Sequence, residues 1–219
     1  MHSKPLIRTS NEANFTVEES ENGFVVRFRA VVFGVESQPM PSKSGNFIEI
    51  ITREAFDSAV KTDIRALFNH SPDMVMGRYR EGASNNTMDF EVDATGVNVR
   101  CELPKTSWAS DLITSIKRGD ISGCSFRFWA AANDYKWTRD TVRNIMVGTL
   151  TNCRKIDDFS VVTYPAYEQT ENSVTVRSLE EFIESETDET DKTDEPTDEP
   201  TPDQIRSKIR LRRLQFASI

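Results

Sequence analysis

Three short runs in this chain of 219 residues hold side chains able to do acid–base or nucleophilic chemistry. The first ends in His70. The chain has two histidines, and His2 sits in a polar N-terminus, so an imidazole working near neutral pH has to be His70. The same residue also suits a structural turn, hydrogen-bonded by Asn69 or Ser71. The second run is Gly119 to Phe128 (GDISGCSFRF), where a serine, Ser125, stands two residues after Gly123 at the start of an extended stretch. Such a corner can set a hydroxyl beside backbone N–H groups that hold an oxyanion. A serine that merely opens a strand fits equally. The Gly-x-Ser-x-Gly elbow is absent, because Arg127 stands where its second glycine belongs. Cys124 is a further nucleophile candidate, but flanking Phe126 and Phe128 read it as a packing thiol. The third run opens with Asp157 and Asp158 ahead of an apolar strand. Adjacent strand residues face opposite ways, so one acid can orient an imidazole while the other meets water.

These residues need elements to carry them. Phe24–Phe33 (FVVRFRAVVF) alternates apolar residues with Arg27 and Arg29 and predicts a strand. Residues 34–46 read as a loop and 47–51 as a short strand. Thr52 caps a helix expected to run to about Lys61, with Ala55, Phe56, Ala59 and Val60 inward. A buried strand over 64–68 leads into His70, and Pro72 marks its exit. Strands over 88–92 and 97–103 flank an Asp93-Ala94-Thr95-Gly96 turn. Thr106 or Ser107 starts the clearest helix, with Trp108, Leu112, Ile113 and Ile116 at helical spacing and Gly119 as its stop. Further strands follow over 121–129, 145–150 and 156–164. Ser178-Leu179-Glu180-Glu181 opens a short helix to about Glu184. Many short strands with a few helices predict a mainly β fold, a barrel or sandwich with helices outside.

Charge separates the chain into parts. The formal net charge is -8, yet residues 184–203 hold ten acids and one lysine with no hydrophobic residue. Residues 204–219 hold five Lys/Arg and no acid, so residues 1–183 carry only -4. The acidic stretch cannot bury enough apolar surface to offset its ordering entropy and reads as a disordered linker. The basic tip spaces Ile205, Ile209 and Leu211 or Leu214 near a helical period, as an amphipathic tail would. The expected layout is a flexible segment over 1–20, one domain over 21–183, the linker over 184–203 and the tail over 204–219. A domain at -4 has no general pull toward nucleic acid. No run reaches the ~18 apolar residues of a membrane span, and no apolar secretory leader is present. Cys101, Cys124 and Cys153 are odd in number and scattered, which argues against a disulfide framework or zinc site.

Read together with their flanks, the three runs resemble a family, the prohead maturation proteases of tailed bacteriophages of the HK97 type. The resemblance rests on Leu67-Phe68-Asn69-His70 and Met76-Gly77-Arg78, then Asp93 to Val97 and Glu102-Leu103-Pro104. It continues with Gly123 to Phe128 and the stretch Asp158 to Tyr167 (DFSVVTYPAY). It covers about residues 24–177. It implies an antiparallel β-barrel ringed by helices, like the herpesvirus assembly proteases. It also implies a serine endopeptidase inside the prohead, assembled in the host bacterial cytoplasm. There the enzyme trims the scaffolding segment of the major capsid protein and cleaves itself. Carried across, Ser125 is the nucleophile, His70 the general base and Asp158 the acid that orients it. Asp157 is the alternative acid and Ser122 the rival nucleophile. No metal or organic cofactor is implied, and a homodimer is compatible with the fold. The contrasting reading is a catalytically silent barrel that docks on the capsid protein through its basic tail.

Overall fold

The computed structural model describes residues 5–10, 13–164 and 174–191. Twelve strands and three helices are defined there, with a single 3-10 turn at Ala132–Asp134. Phe47–Ile51 (β4), Asp63–Phe68 (β5), Met88–Val92 (β7), Gly96–Pro104 (β8), Gly123–Trp129 (β9), Ile145–Leu150 (β11) and Lys155–Val162 (β12) form close to where alternation places them. So does Gly23–Val32 (β3). Between β7 and β8 the Asp93 carboxylate accepts from the Thr95 and Gly96 N–H groups at 2.6 and 2.8 Å. That local bond closes the turn and leaves the two strands in register.

The helices obey their caps. In Arg53–Asp57 (α1) the Thr52 hydroxyl accepts from the Ala55 N–H, and Phe56 is buried beneath. The expected extension to Lys61 does not occur. Val60 instead bridges Lys155 in parallel and is 51% exposed, which corrects its inward placement. Ser107–Arg118 (α2) begins at Thr106 and buries Ala109, Leu112, Ile113 and Ile116. It ends where Gly119 adopts the left-handed φ of 80°, a conformation without penalty only for glycine. The last helix, Val174–Asp191 (α3), begins four residues before Ser178 and runs past Glu184. Buried Val176 and Leu179 anchor its start, and the Glu residues that follow are good helix formers. Its residues up to Phe182 belong to the first compact unit, and those from Ile183 belong to the second. Residues 192–219, which include most of the acidic linker and the basic tail, lie outside the described residues.

Four strands escape the sequence reading. The N-terminal segment, expected to be flexible, contains Leu6–Ser10 (β1) and Thr16–Ser20 (β2). Val75–Arg80 (β6) and Tyr135–Asp140 (β10) are the other two. Each is polar on at least one face and gains its strand state from a neighbour rather than from its own pattern.

The strands form three sheets, ordered β1-β9-β12-β5-β6, β10-β11-β4 and β2-β3-β8-β7. The fold is therefore mainly β with flanking helices. The pairing departs from the expected antiparallel barrel, because the described strands make three separate open sheets, and β12–β5 and β11–β4 pair in parallel. The core lies between the sheets, where Phe56, Phe90 and Phe159 pack with ring centroids 5.8 to 6.3 Å apart.

Candidate active site

The five-stranded sheet places its three central strands, β9, β12 and β5, side by side. Neighbouring strands are about 4.8 Å apart, close enough for side chains on one face to touch. Register then selects which ones. Ser160 lies opposite Ser125, and Asp158 lies opposite Arg127. All four therefore share one face. Cys124, Phe126, Phe159 and Val161 alternate onto the other and are buried.

His70 reaches that face by an unusual backbone. Phe68 pairs with Val161 at the end of β5, after which Asn69 and His70 both take left-handed angles, φ 53° and 55°. Non-glycine residues adopt this region at a cost of about 1–3 kcal/mol, and surrounding bonds must hold them there. Here the Asn69 N–H donates to the Val161 carbonyl at 2.8 Å. The Asn69 side chain accepts from the Thr163 N–H at 2.9 Å and donates to the Thr163 hydroxyl at 3.2 Å. The turn is thus tied to the strand that carries Asp158.

The result is a chain of hydrogen bonds. His70 Nδ1 lies 2.6 Å from Asp158 Oδ1, and His70 Nε2 lies 2.8 Å from Ser125 Oγ. Asp158 also accepts from the Ser160 hydroxyl at 2.6 Å. Arg127 Nε approaches the other carboxylate oxygen at 3.4 Å, and its guanidinium lies 3.5 Å from the His70 carbonyl. Arg127 Nε is buried without a well-directed hydrogen bond, so it acts on Asp158 through charge. Ser125 and Ser160 are fully buried, Asp158 is 2% exposed and the His70 side chain 12%. In this dry setting Coulomb terms are far stronger than in water. With its proton on Nδ1, the imidazole donates to Asp158 and offers the Nε2 lone pair to the serine hydroxyl. That geometry suits removal of the hydroxyl proton as oxygen attacks a carbonyl.

The rival residues are placed elsewhere. A register shift between Ile156 and Asp158 turns Asp157 away, where it accepts from the Trp129 indole at 2.5 Å and pairs with Lys155 at 2.6 Å. Ser122 precedes β9 and is exposed. The Cys124 thiol donates to the Arg29 carbonyl at 2.7 Å on the opposite face from His70. Burial raises the Cys101 thiol well above its ordinary range and pushes Cys153 up to about 11. No cluster of His, Cys, Asp and Glu able to hold a metal occurs among the described residues. No described helix is long and apolar enough to cross a membrane.

Sequence reasoning missed Ser160, Arg127 as a neighbour of the acid, and the role of Asn69 in the turn. It also missed β1. The Ser125 hydroxyl lies 2.9 Å from the Arg8 carbonyl, so the N-terminal strand covers it. A separate cavity of about 620 Å³ is lined by Tyr135, Trp137 and Ser178 among others, and none of the three residues of the hydrogen-bond chain lines it.

Residues 12–185 match the family described as caudovirus prohead serine protease. No curated protein and no solved structure matches the chain.

Proposed function

The chain belongs to the caudovirus prohead serine proteases, and on that premise we propose that Ser125, His70 and Asp158 are its catalytic residues. Family membership makes it a serine protease of phage capsid maturation. The observation that carries the residue assignment is the unbroken contact from Asp158 through His70 to Ser125, at 2.6 and 2.8 Å.

In the proposed reaction Ser125 Oγ attacks the scissile carbonyl while His70 Nε2 takes its proton. Asp158 fixes the imidazole tautomer and stabilises the imidazolium that forms. His70 then returns the proton to the departing amine, and an acyl-enzyme on Ser125 is hydrolysed by water. Ser160 and Arg127 hold the carboxylate in place. The substrate we infer is the scaffolding segment of the major capsid protein, cleaved inside the prohead while it assembles in the host cytoplasm. The enzyme itself is a second substrate. A relation of the fold to the herpesvirus assembly proteases, whose barrel can dimerise, belongs to the same proposal.

Co-expression with the cognate capsid protein tests it. Wild type should trim the capsid protein, while folded Ser125→Ala and His70→Ala should not. Trimming by Ser125→Ala but not by Ser122→Ala would move the nucleophile. A wild type that never trims would favour the catalytically silent assembly protein.

A further inference from the structure

A largely buried ion pair joins β1 to β4 on the face of β9 that carries Phe126 and Phe128. Arg8 of β1 turns its side chain under the sheet and pairs in two-pronged fashion with Glu49 of β4, with Nη2 at 2.7 Å from Glu49 Oε1. The same nitrogen donates to the Thr175 hydroxyl at 3.0 Å. Tyr135 donates to Glu49 at 2.9 Å and accepts from Thr175 at 3.0 Å. The guanidinium lies 5.9 Å from the centre of the Phe128 ring. Glu49 and Thr175 are 2% and 0% exposed. Burial, together with the Glu49 charge, holds the Tyr135 phenol well above its ordinary range, so it stays a neutral donor.

A buried ion pair of this kind stabilises a fold poorly, because desolvation offsets much of its attraction. It discriminates well, because a partner without the cation leaves a carboxylate buried and unpaired. Its arrangement is that of a specificity pocket. The carbonyl oxygen of the residue whose side chain fills it is the one that accepts from the Ser125 hydroxyl, at 2.9 Å. β1 lies antiparallel on the edge of β9, with Thr9 opposite Ser125, as an added substrate strand would. Glu49, Tyr135 and Thr175 fall inside residues 12–185 that define the family domain, whereas Arg8 falls outside them.

We propose that the β9 edge is the substrate-binding edge, that Glu49, Tyr135 and Thr175 select an arginine as the residue supplying the scissile carbonyl, and that β1 sits there as an intramolecular substrate. This rests on Ser125 being the nucleophile. For β1 the cleaved bond is Arg8–Thr9. Ser125 Oγ bonds to the Arg8 carbonyl carbon as His70 takes the hydroxyl proton. The C–N bond to Thr9 breaks, and that proton passes to the new Thr9 amine. One water, deprotonated by His70, then releases residues 1–8 from the ester and restores the serine hydroxyl. While β1 remains, the Arg8 carbonyl and His70 Nε2 compete for the single hydroxyl proton, and external substrate is kept off the edge.

The test uses the full chain in two assays. Intact mass and N-terminal sequencing of purified wild type should show a species beginning at Thr9, which Arg8→Ala and Ser125→Ala lack. With extended peptides that differ only at the residue giving the scissile carbonyl, wild type should prefer Arg over Ala by at least about tenfold in kcat/KM. Glu49→Gln should erase that preference. Should that variant fail to fold, Arg8→Ala keeps Glu49 in place and should itself show the arginine preference, with faster cleavage of added peptide. Capsid trimming that depends on Ser125, without arginine preference and with residues 1–8 retained, would overturn this inference and leave the protease reading intact. Loss of all Ser125-dependent cleavage would overturn both.

Discussion

His70 Nδ1 sits 2.6 Å from Asp158 Oδ1, while the neighbouring Asp157 is bound to Trp129 and Lys155. One residue of register therefore separates an acid in contact with the imidazole from one bonded to Trp129 and Lys155. Asp158→Asn should keep the geometry but favour the wrong imidazole tautomer, with a loss of kcat near 10⁴-fold. Asp157→Asn should leave kcat within about tenfold of wild type. Steady-state kinetics on a capsid-derived peptide compares them, and equal losses would remove the distinction.

Ser160 is fully buried and donates to the same carboxylate oxygen as His70. Ser160→Ala should destabilise the protein by about 1.5–3 kcal/mol, the range for hydrogen bonds to charged groups. It should also lower kcat more than it raises KM, because Asp158 loses a fixed orientation. Ser160→Thr, which restores a hydroxyl, should recover part of both. Denaturant unfolding and kinetics read the two effects separately.

Asn69 combines a left-handed backbone with two side-chain bonds to Thr163. Both Asn69→Gly and Asn69→Ala lose the two side-chain bonds, but only Asn69→Gly relieves the backbone cost. Asn69→Ala should therefore be the less stable of the two, by about 1 kcal/mol. Thermal unfolding should show that order, and the reverse order would mean that the turn is held by other contacts.

Asp134 is buried at the end of the 3-10 turn. Burial raises its carboxyl, but bonds from Asn152, the Ala131 N–H and Arg154 together hold it below the usual range. The unfolded chain thus binds a proton more readily than the native state. The stabilisation is present above the ordinary carboxylate range and is lost as pH falls through the depressed native value. Asp134→Asn should lower stability at neutral pH by about 1–3 kcal/mol and flatten the acid side of the stability profile. Unfolding midpoints from acid to neutral pH check the slope.

Local chemistry was legible in the sequence wherever one residue acts on its near neighbours. Thr52 and Thr106 cap, Gly119 stops a helix, and Asp93 closes a turn, all through bonds spanning a few residues. The candidate residues 70, 125 and 158 were legible as types and through the resemblance of their flanks. Strands β1, β2, β6 and β10 were not, because their state depends on the strand beside them. The parity that turns Asp158 toward His70 was equally hidden, since the register shift after Ile156 is set by pairing with β9.

The sequence alone determined the supply of groups: one histidine beyond the terminus, a serine near the start of a phenylalanine-rich strand, two adjacent acids, and a tail split into an acidic and a basic run. Tertiary structure decided which of them meet. The parallel pairing of β5 with β12 and the antiparallel pairing of β12 with β9 bring together residues 55 and 88 positions apart. Tertiary structure also set Arg8 over Glu49 and its carbonyl against Ser125, contacts spanning 41 and 117 residues. Hydrogen bonding between strands fixes such distances in space but leaves no spacing rule along the chain, so no local pattern announces them.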